Sequence, residues 1–125
     1  MNKFDLEDRL INFSVQIIEL CDEIDNSKAG NHLASQLLRS GTSPALNYGE
    51  AQSGESRKDF VHKIKIVLKE LRESLVNLKI IQRARLIKSE YDINKTQKEC
   101  NELISIFVKS IETALKNIRE EKYQR

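Results

Sequence analysis

The sequence predicts an all-α protein in which four amphipathic helices form an up-down-up-down antiparallel four-helix bundle. Helix breakers are scarce, because the 125 residues contain one proline and four glycines. Apolar side chains recur in alternating steps of three and four along four segments, which is the spacing of a helix buried along one face. The links between these segments are short, and short links place consecutive helices side by side and antiparallel.

The first two helices are predicted over residues Phe4–Asp25 and Lys28–Gln52. The buried face of the first helix consists of Leu6, Leu10, Phe13, Ile17, Leu20 and Ile24. The second helix contains Pro44, which cannot donate a hydrogen bond to the Ser40 carbonyl, so a bend near Pro44 is predicted. The alternative is a fresh helix start, with Pro44 in the first turn of a new helix.

The third helix is predicted to begin after Ser53-Gly54-Glu55-Ser56 and to run to Ala84, and the fourth to run to Glu121. The buried face of the third helix consists of Val61, Ile64, Leu68, Leu71, Leu75 and Leu78. That of the fourth consists of Cys100, Ile104, Phe107, Ile111, Ala114 and Ile118. The predicted N-terminal caps are Asn2, Asn26 or Ser27, Ser56, and Asn94 or Thr96.

The length suits a single domain over residues 1–125, with a core that needs no disulfide. Cys21 and Cys100 form no CxxC pair, so both are expected as reduced thiols in the core. No apolar run is long enough to span a membrane, and the N-terminus is too polar for a signal peptide. A cytoplasmic protein without membrane contact is therefore expected.

Motifs for catalysis, cofactor binding or metal binding are not found. Dinuclear metal bundles need Glu-x-x-His on two helices, whereas this chain offers Asp59-x-x-His62 once. No phosphate-binding loop, dinucleotide fingerprint or nucleophile elbow occurs. We expect no catalytic residue, no cofactor, no metal site and no small-molecule substrate.

Basic charge is concentrated in the third helix. Residues 57–88 contain ten Lys or Arg against three Asp or Glu, while the whole chain has a net charge of +2. In steps of four and three, one exposed stripe consists of Lys58, His62, Lys65, Lys69, Arg72, Val76, Lys79 and Arg83. Its six Lys and Arg residues are candidates for binding nucleic-acid phosphates. The alternative is a solvated surface, or one paired with acidic residues of the first helix such as Glu19, Asp22 and Glu23.

Two further groups of residues have open interpretations. Phe60, Ile66 and Ile80 lie outside the buried face of the third helix and predict a homo-oligomer interface, the alternative being isolated surface side chains. Arg39 could meet carboxylates from two helices in an ion-pair set that fixes helix register: Arg39, Glu50, Glu70 and Glu73. A small helical enzyme built on Arg39, Glu50 and Glu70 is the alternative interpretation of this set.

The stretch Gln36–Ser43, continuing through Asn47 and Glu50 to Ser53–Phe60, resembles the bacterial four helix bundle protein family. This family includes proteins encoded in intervening sequences of 23S ribosomal RNA genes. Lys69–Glu73 and Cys100–Leu103 extend the similarity. The resemblance implies an up-and-down bundle that assembles as a homopentameric ring and has no established enzymatic activity. A related group, the accessory proteins of diversity-generating retroelements, associates with a reverse transcriptase and nucleic acid. The chain departs from the family at Pro44 and Tyr48, where members often carry isoleucine.

The leading hypothesis is a non-enzymatic oligomeric interaction protein that contacts RNA or DNA, or a nucleic-acid enzyme, through the basic stripe. One alternative is a purely structural or protein-binding homo-oligomer without affinity for nucleic acid. The other is the small helical enzyme described above.

Overall fold

The computed structural model describes residues 1–54 and 56–123, so Glu55 of the predicted break lies outside the described residues. Its helices are α1 (Lys3–Asp22), α2 (Lys28–Gln52), α3 (Arg57–Arg83) and α4 (Ile93–Tyr123). Each helix packs against the next along the chain, and α4 returns to α1, which confirms the four-helix bundle. In the described part of the chain no Cα atom of α1 lies within 8 Å of a Cα atom of α3, so these two helices occupy diagonal corners.

The core follows the predicted face of α1, but it is displaced from the predicted faces of α3 and α4. The predicted side chains of α1 from Leu6 to Leu20 are all buried. On α3, Val67 and Ile81 are buried, whereas the predicted Leu68 and Leu75 are only half-buried. On α4, Leu103 is buried, whereas four predicted residues are only half-buried: Ile104, Ile111, Ala114 and Ile118.

Tyr48 of α2 meets Phe107 of α4 edge to face, with ring centroids 5.6 Å apart. Both cysteines are free. Burial raises the pKa of the Cys100 thiol to about 12, so it remains a neutral core side chain at physiological pH.

The second helix runs without interruption through Pro44, so the alternative of a fresh helix start there is wrong. Pro44 is buried in the bundle, and its packing outweighs the single backbone hydrogen bond that it cannot donate. The Ser40 carbonyl loses its usual donor, which is the condition under which a helix bends.

Two predicted helix boundaries are wrong, and both errors come from contacts distant in sequence or from an overlooked cap. The first helix ends at Asp22, because Ile24 forms a bridge with Ile87 and the Asp25 amide donates to the Leu86 carbonyl. The fourth helix begins at Ile93, where the Asp92 carboxylate accepts a hydrogen bond from the Lys95 amide.

The other caps agree with the sequence. Asn2 and Asp5 form a reciprocal capping box at the start of α1. Ser27 accepts a hydrogen bond from the Gly30 amide, and Ser56 accepts one from the Asp59 amide. The predicted starts of α2 and α3 are confirmed by these bonds, whereas Asn94 and Thr96 lie inside α4.

The last turns of α4 extend past α1 and stay beside the start of α3. Arg9, in the second turn of α1, binds Glu99 and Glu102, and α1 begins at Lys3, about two turns beyond that level. Phe107 is the last buried residue of α4 in the described part of the chain, although the helix continues to Tyr123. The final four turns of α4 therefore have few neighbours besides the start of α3, where Arg57 forms an ion pair with Glu121.

Small side chains of α2 allow its neighbours to come close on both sides. A Cβ atom added at Gly41 would lie 2.7 Å from the Cγ1 atom of Ile17, so α1 packs directly against the α2 backbone. On the other side, the hydroxyl oxygens of Ser74 and Ser40 are hydrogen-bonded at 2.9 Å inside the α2–α3 contact. These contacts fix the spacing of α1, α2 and α3.

Gly41→Ala is expected to be about 2 kcal/mol less stable than the matched variant Gly49→Ala. Both changes improve helix propensity, but only the Gly41 methyl group would collide with the buried Ile17 side chain. At Gly49 the added Cβ atom meets only the Glu7 carboxylate oxygen, at 3.7 Å. Urea unfolding of both variants measures the difference. Equal stabilities would show that the spacing between α1 and α2 is not fixed at Gly41.

Candidate nucleic-acid interface

The six cations of the predicted stripe all lie exposed on α3. Among the residues that the structure describes, none of the six has a carboxylate within ion-pair distance. The acidic residues Glu19, Asp22 and Glu23 are not brought to the stripe, because α1 lies at the opposite corner of the bundle. The positive charge of α3 is therefore directed to solvent.

Beyond Lys58, the stripe consists of two rows that differ in their neighbours. At 100° per residue, Lys65, Arg72 and Lys79 form a row on the side of α4. His62, Lys69, Val76 and Arg83 form a second row on the side of α2. The first row is called the α4-side row below, and the second the α2-side row.

A shallow groove of about 320 Å³ continues the α4-side row onto α4. Its lining consists of Leu75, Lys79, Asn94, Gln97, Lys98 and Asn101. The amide side chains offer both donors and acceptors, and two of them are already oriented by Gln82, which binds Asn94 at 2.8 Å and Gln97 at 2.9 Å. A charged row beside oriented amides can position a phosphate backbone and also reach sugar or base atoms.

The predicted ion-pair set is only partly assembled. Arg39 binds Glu70 at 3.2 Å and Glu73 at 3.3 Å, which ties α2 to α3. Glu50 is not in this cluster, because it forms its ion pair with Lys63. Arg39 has 61% of its side chain exposed, so the cluster is an open surface contact. Such a contact contributes to register more than to stability.

Glu70 is the unusual member of this cluster, since it is a carboxylate in a buried position. Burial raises its pKa, the neighbouring Glu73 carboxylate raises it further, and the charge of Arg39 acts in the opposite direction. The side chain packs beside Ser74, whose hydroxyl also binds the Glu70 carbonyl. Glu70 thus belongs to the polar seam between α2 and α3.

The three residues predicted as an interface have different environments. Phe60 is half-buried and packs against the core. Ile66 is half-buried, and Ile80 has 44% of its surface exposed. Ile66 and Ile80 flank the α2-side row, with Glu73 between them along the helix.

A larger exposed apolar surface lies on α1, where sequence reasoning placed none. Phe4, Ile11, Val15 and Ile18 all point away from the core. Their spacing of seven, four and three residues was the available signal, because it marks a second apolar face on a helix that already has one.

The described residues contain neither a metal-binding cluster nor a membrane-spanning helix. Within residues 1–54 and 56–123, no group of three or more His, Cys, Asp or Glu side chains is close enough to hold a metal ion. Over the same residues, every helix falls short of the length and hydropathy that crossing a bilayer requires.

Comparison with known proteins places this fold among relatives. The family model described as 23S rRNA-intervening sequence protein matches residues 2–109. A solved structure from Bacteroides thetaiotaomicron VPI-5482 is similar over 90% of this chain and 99% of its own, with 28% identity and a TM-score of 0.80. That structure is a protein of unknown function from the S23 ribosomal protein family. No curated protein sequence matches the chain.

Glu70→Gln is expected to become more stable relative to the wild-type protein as pH rises from about 4 to 7. Because the folded-state pKa of Glu70 is raised, the protonated side chain favours folding and the ionised carboxylate disfavours it. The wild-type protein therefore loses stability as pH rises through that pKa, whereas a glutamine at this position does not titrate. Chemical unfolding at several pH values measures this trend. Glu50→Gln, which removes an exposed carboxylate, is the control. A pH-independent difference for Glu70→Gln would contradict the assigned burial effect.

Proposed function

The chain belongs to the 23S rRNA-intervening sequence protein family, and we propose that it is a non-enzymatic, oligomeric interaction protein whose α3 stripe binds the phosphate backbone of RNA or DNA. The observation that carries this proposal is a set of six exposed cations along one helix, none of them paired with a described carboxylate. Unpaired cations in a line attract a polyanion by releasing its bound counterions.

The dimensions of the stripe suit a nucleic-acid backbone. From Lys58 to Arg83 it covers 25 residue steps, or about 38 Å along the helix axis. That length is about eleven base pairs of duplex. Aromatic side chains do not alternate with the cations, so contacts through base stacking are not expected. We therefore propose binding that depends on charge and shape more than on base sequence.

The oligomeric part of the proposal is supported by exposed apolar surface and by the family. The outward face of α1 exposes a group of large apolar side chains to solvent, and a contiguous apolar surface of this kind marks an interface. Its members are Phe4, Ile11, Val15 and Ile18. The family resemblance implies a homopentamer, and its retroelement relatives imply a reverse transcriptase as one kind of partner. A non-enzymatic role is supported by the open Arg39 cluster, which lacks the enclosure that acid–base chemistry uses.

The apolar face of α1 also favours the second candidate, a protein-binding oligomer without affinity for nucleic acid. The two candidates differ in one measurable quantity. Phosphate binding requires an affinity that falls steeply with salt, whereas the second candidate requires no binding even at low salt.

Replacing the α4-side row by neutral side chains is expected to weaken nucleic-acid binding at low salt by about tenfold or more. The variant is Lys65→Gln/Arg72→Gln/Lys79→Gln. Its log–log salt dependence should become shallower by about 2 to 3, since each cation that contacts a phosphate contributes about one unit of slope. Fluorescence anisotropy with labelled single-stranded RNA and duplex DNA, at several salt concentrations, measures both quantities.

The matched control removes the same charge elsewhere. Lys95, Lys109 and Lys116 are exposed on α4 outside the groove, so Lys95→Gln/Lys109→Gln/Lys116→Gln has the same net charge as the test variant. Binding should be much less affected in this control. Equal losses in the two variants would mean that only total charge matters, and absence of wild-type binding at low salt would overturn the proposal.

A further inference from the structure

The outward face of α1 carries an apolar row that the bundle leaves uncovered. Phe4, Ile11, Val15 and Ile18 fall within about 60° of the helix circumference. Phe4 is 68% exposed and each of the other three is nearly half exposed. Leu46, on the neighbouring α2, is 69% exposed. The set Phe4, Ile11, Val15 and Ile18 is called the α1 apolar row below, and Leu46 is not part of it.

Acidic side chains border this row. Asp8, Glu19 and Asp22 are exposed on the same side of α1. None of them forms an ion pair with another described residue. The one arginine of α1, Arg9, is on another side of the helix, held by Glu99 and Glu102 of α4. At the N-terminal end of the row, the Lys3 ammonium lies 5.2 Å from the centre of the Phe4 ring. The outward face of α1 is therefore apolar, with three carboxylates against this one cation.

The outward face of α3 has the opposite charge with a similar apolar pattern. Val76 and Ile80 are exposed there, and Ile66 is half-buried. Lys69 and Arg83 of the α2-side row border them. Glu73, between Ile66 and Ile80, is paired with Arg39 of α2, so the cations are in excess on this face. From Ile66 to Ile80 is 14 residue steps, as it is from Phe4 to Ile18, so both segments are about 21 Å in length. The two faces are complementary in charge and equal in length.

We propose that the α1 apolar row of one copy docks on the Ile66–Val76–Ile80 face of a second copy, in a head-to-tail contact. Two α1 faces brought together would place acidic side chains against each other, and two α3 faces would do the same with cations. Because α1 and α3 are at diagonal corners, one copy can use both faces at once. Such a contact is heterologous, and its repetition gives a closed ring or an open chain.

This inference rests on the oligomer of the proposed function and names its contact surfaces. The α2-side row takes part in the contact between copies. The α4-side row and its groove lie on the other side of the stripe, so phosphate binding there is compatible with assembly. Lys69 and Arg83 belong to both proposals, whereas Lys65, Arg72 and Lys79 belong only to the phosphate-binding one, so the two proposals can still fail separately.

Two variants, each defective in one face, test the head-to-tail contact. The first is Ile11→Lys/Ile18→Lys on α1, and the second is Val76→Glu/Ile80→Glu on α3. All four positions are exposed, so the bundle should still fold, which circular dichroism and thermal melting check. Each variant alone should sediment as a 14.5 kDa monomer at concentrations where the wild-type protein is assembled. Leu115→Lys, at an exposed position of α4, is the control that should keep the wild-type mass.

An equimolar mixture of the two variants is expected to double the monomer mass and to stop there. One intact α1 face then meets one intact α3 face, while the remaining face of each partner is blocked. The mixture should be measured at about ten times the protein concentration at which the wild-type protein is half assembled, because a single contact lacks the gain in affinity from ring closure. Self-association of the α3 variant alone would indicate pairing of α1 faces and would overturn the inference. A monomeric wild-type protein, or a mixture that stays monomeric, would also overturn it.

A second test of the head-to-tail contact reverses the charges that border the two faces and leaves every apolar side chain in place. Asp8→Lys/Glu19→Lys and Lys69→Glu/Arg83→Glu should each weaken assembly, and their combination in one chain should restore it. Failure of the combination to recover would contradict a direct contact between these groups. Nucleic-acid binding by the monomeric α1 variant, whose α3 stripe is intact, is measured alongside. If the mass experiments fail while this binding persists, only the head-to-tail contact is overturned.

Discussion

The close approach of α1 and α3 to the two sides of α2 is the constraint on which the rest of the bundle depends. On one side Gly41 leaves no room between its backbone and Ile17. On the other side the hydroxyl groups of Ser40 and Ser74 meet in a buried position where a larger side chain would push the helices apart. Because α2 is held tightly between its neighbours, α1 and α3 are kept in diagonal corners, and their outward faces remain free.

That arrangement separates the charges of the chain. Residues 1–56 hold nine acidic side chains against four basic ones, and residues 57–88 hold the basic excess. A bundle with α1 beside α3 would neutralise much of this charge internally. The observed arrangement instead keeps an acidic face and a basic face on opposite sides, where they are available to other molecules. Segregated charge of this kind favours interaction with partners over internal stability.

The sequence predicts the buried face of α1 well, because helix periodicity is a local property. Leu6, Leu10 and Phe13 lie where their spacing places them. On α3 and α4 the sequence misses Val67, Ile81 and Leu103, whose burial depends on how each helix is rotated against its neighbours. The errors occur where the outcome depends on distant parts of the chain. The last turn predicted for α1 unwinds because Ile24 pairs with Ile87, more than sixty residues away. Likewise, Arg39 and Glu50 are eleven residues apart on α2, or about 16 Å along its axis. They cannot meet once α2 runs unbroken through Pro44, and Glu50 pairs with Lys63 of α3 instead.

The candidate interface was predictable to a similar extent. The exposure of the stripe follows from helix geometry, since Lys65, Lys69 and Arg72 lie away from the buried face. The groove beside it brings Lys79 together with Asn94 and other side chains of α4. Its composition depends on how two helices are aligned, which the sequence of either helix does not contain.

The unequal lengths of the helices give the molecule a gradient of local stability. Side chains of α4 are buried at Cys100, Leu103 and Phe107, whereas those of its last four turns are at most half-buried. Backbone amides in these turns can open without unfolding the core, so they should exchange hydrogen with solvent faster than those around Cys100. A protease would therefore shorten α4 from its end and leave a folded bundle. The end of the molecule where α4 projects is thus the place where its structure can adapt with the smallest loss of stability.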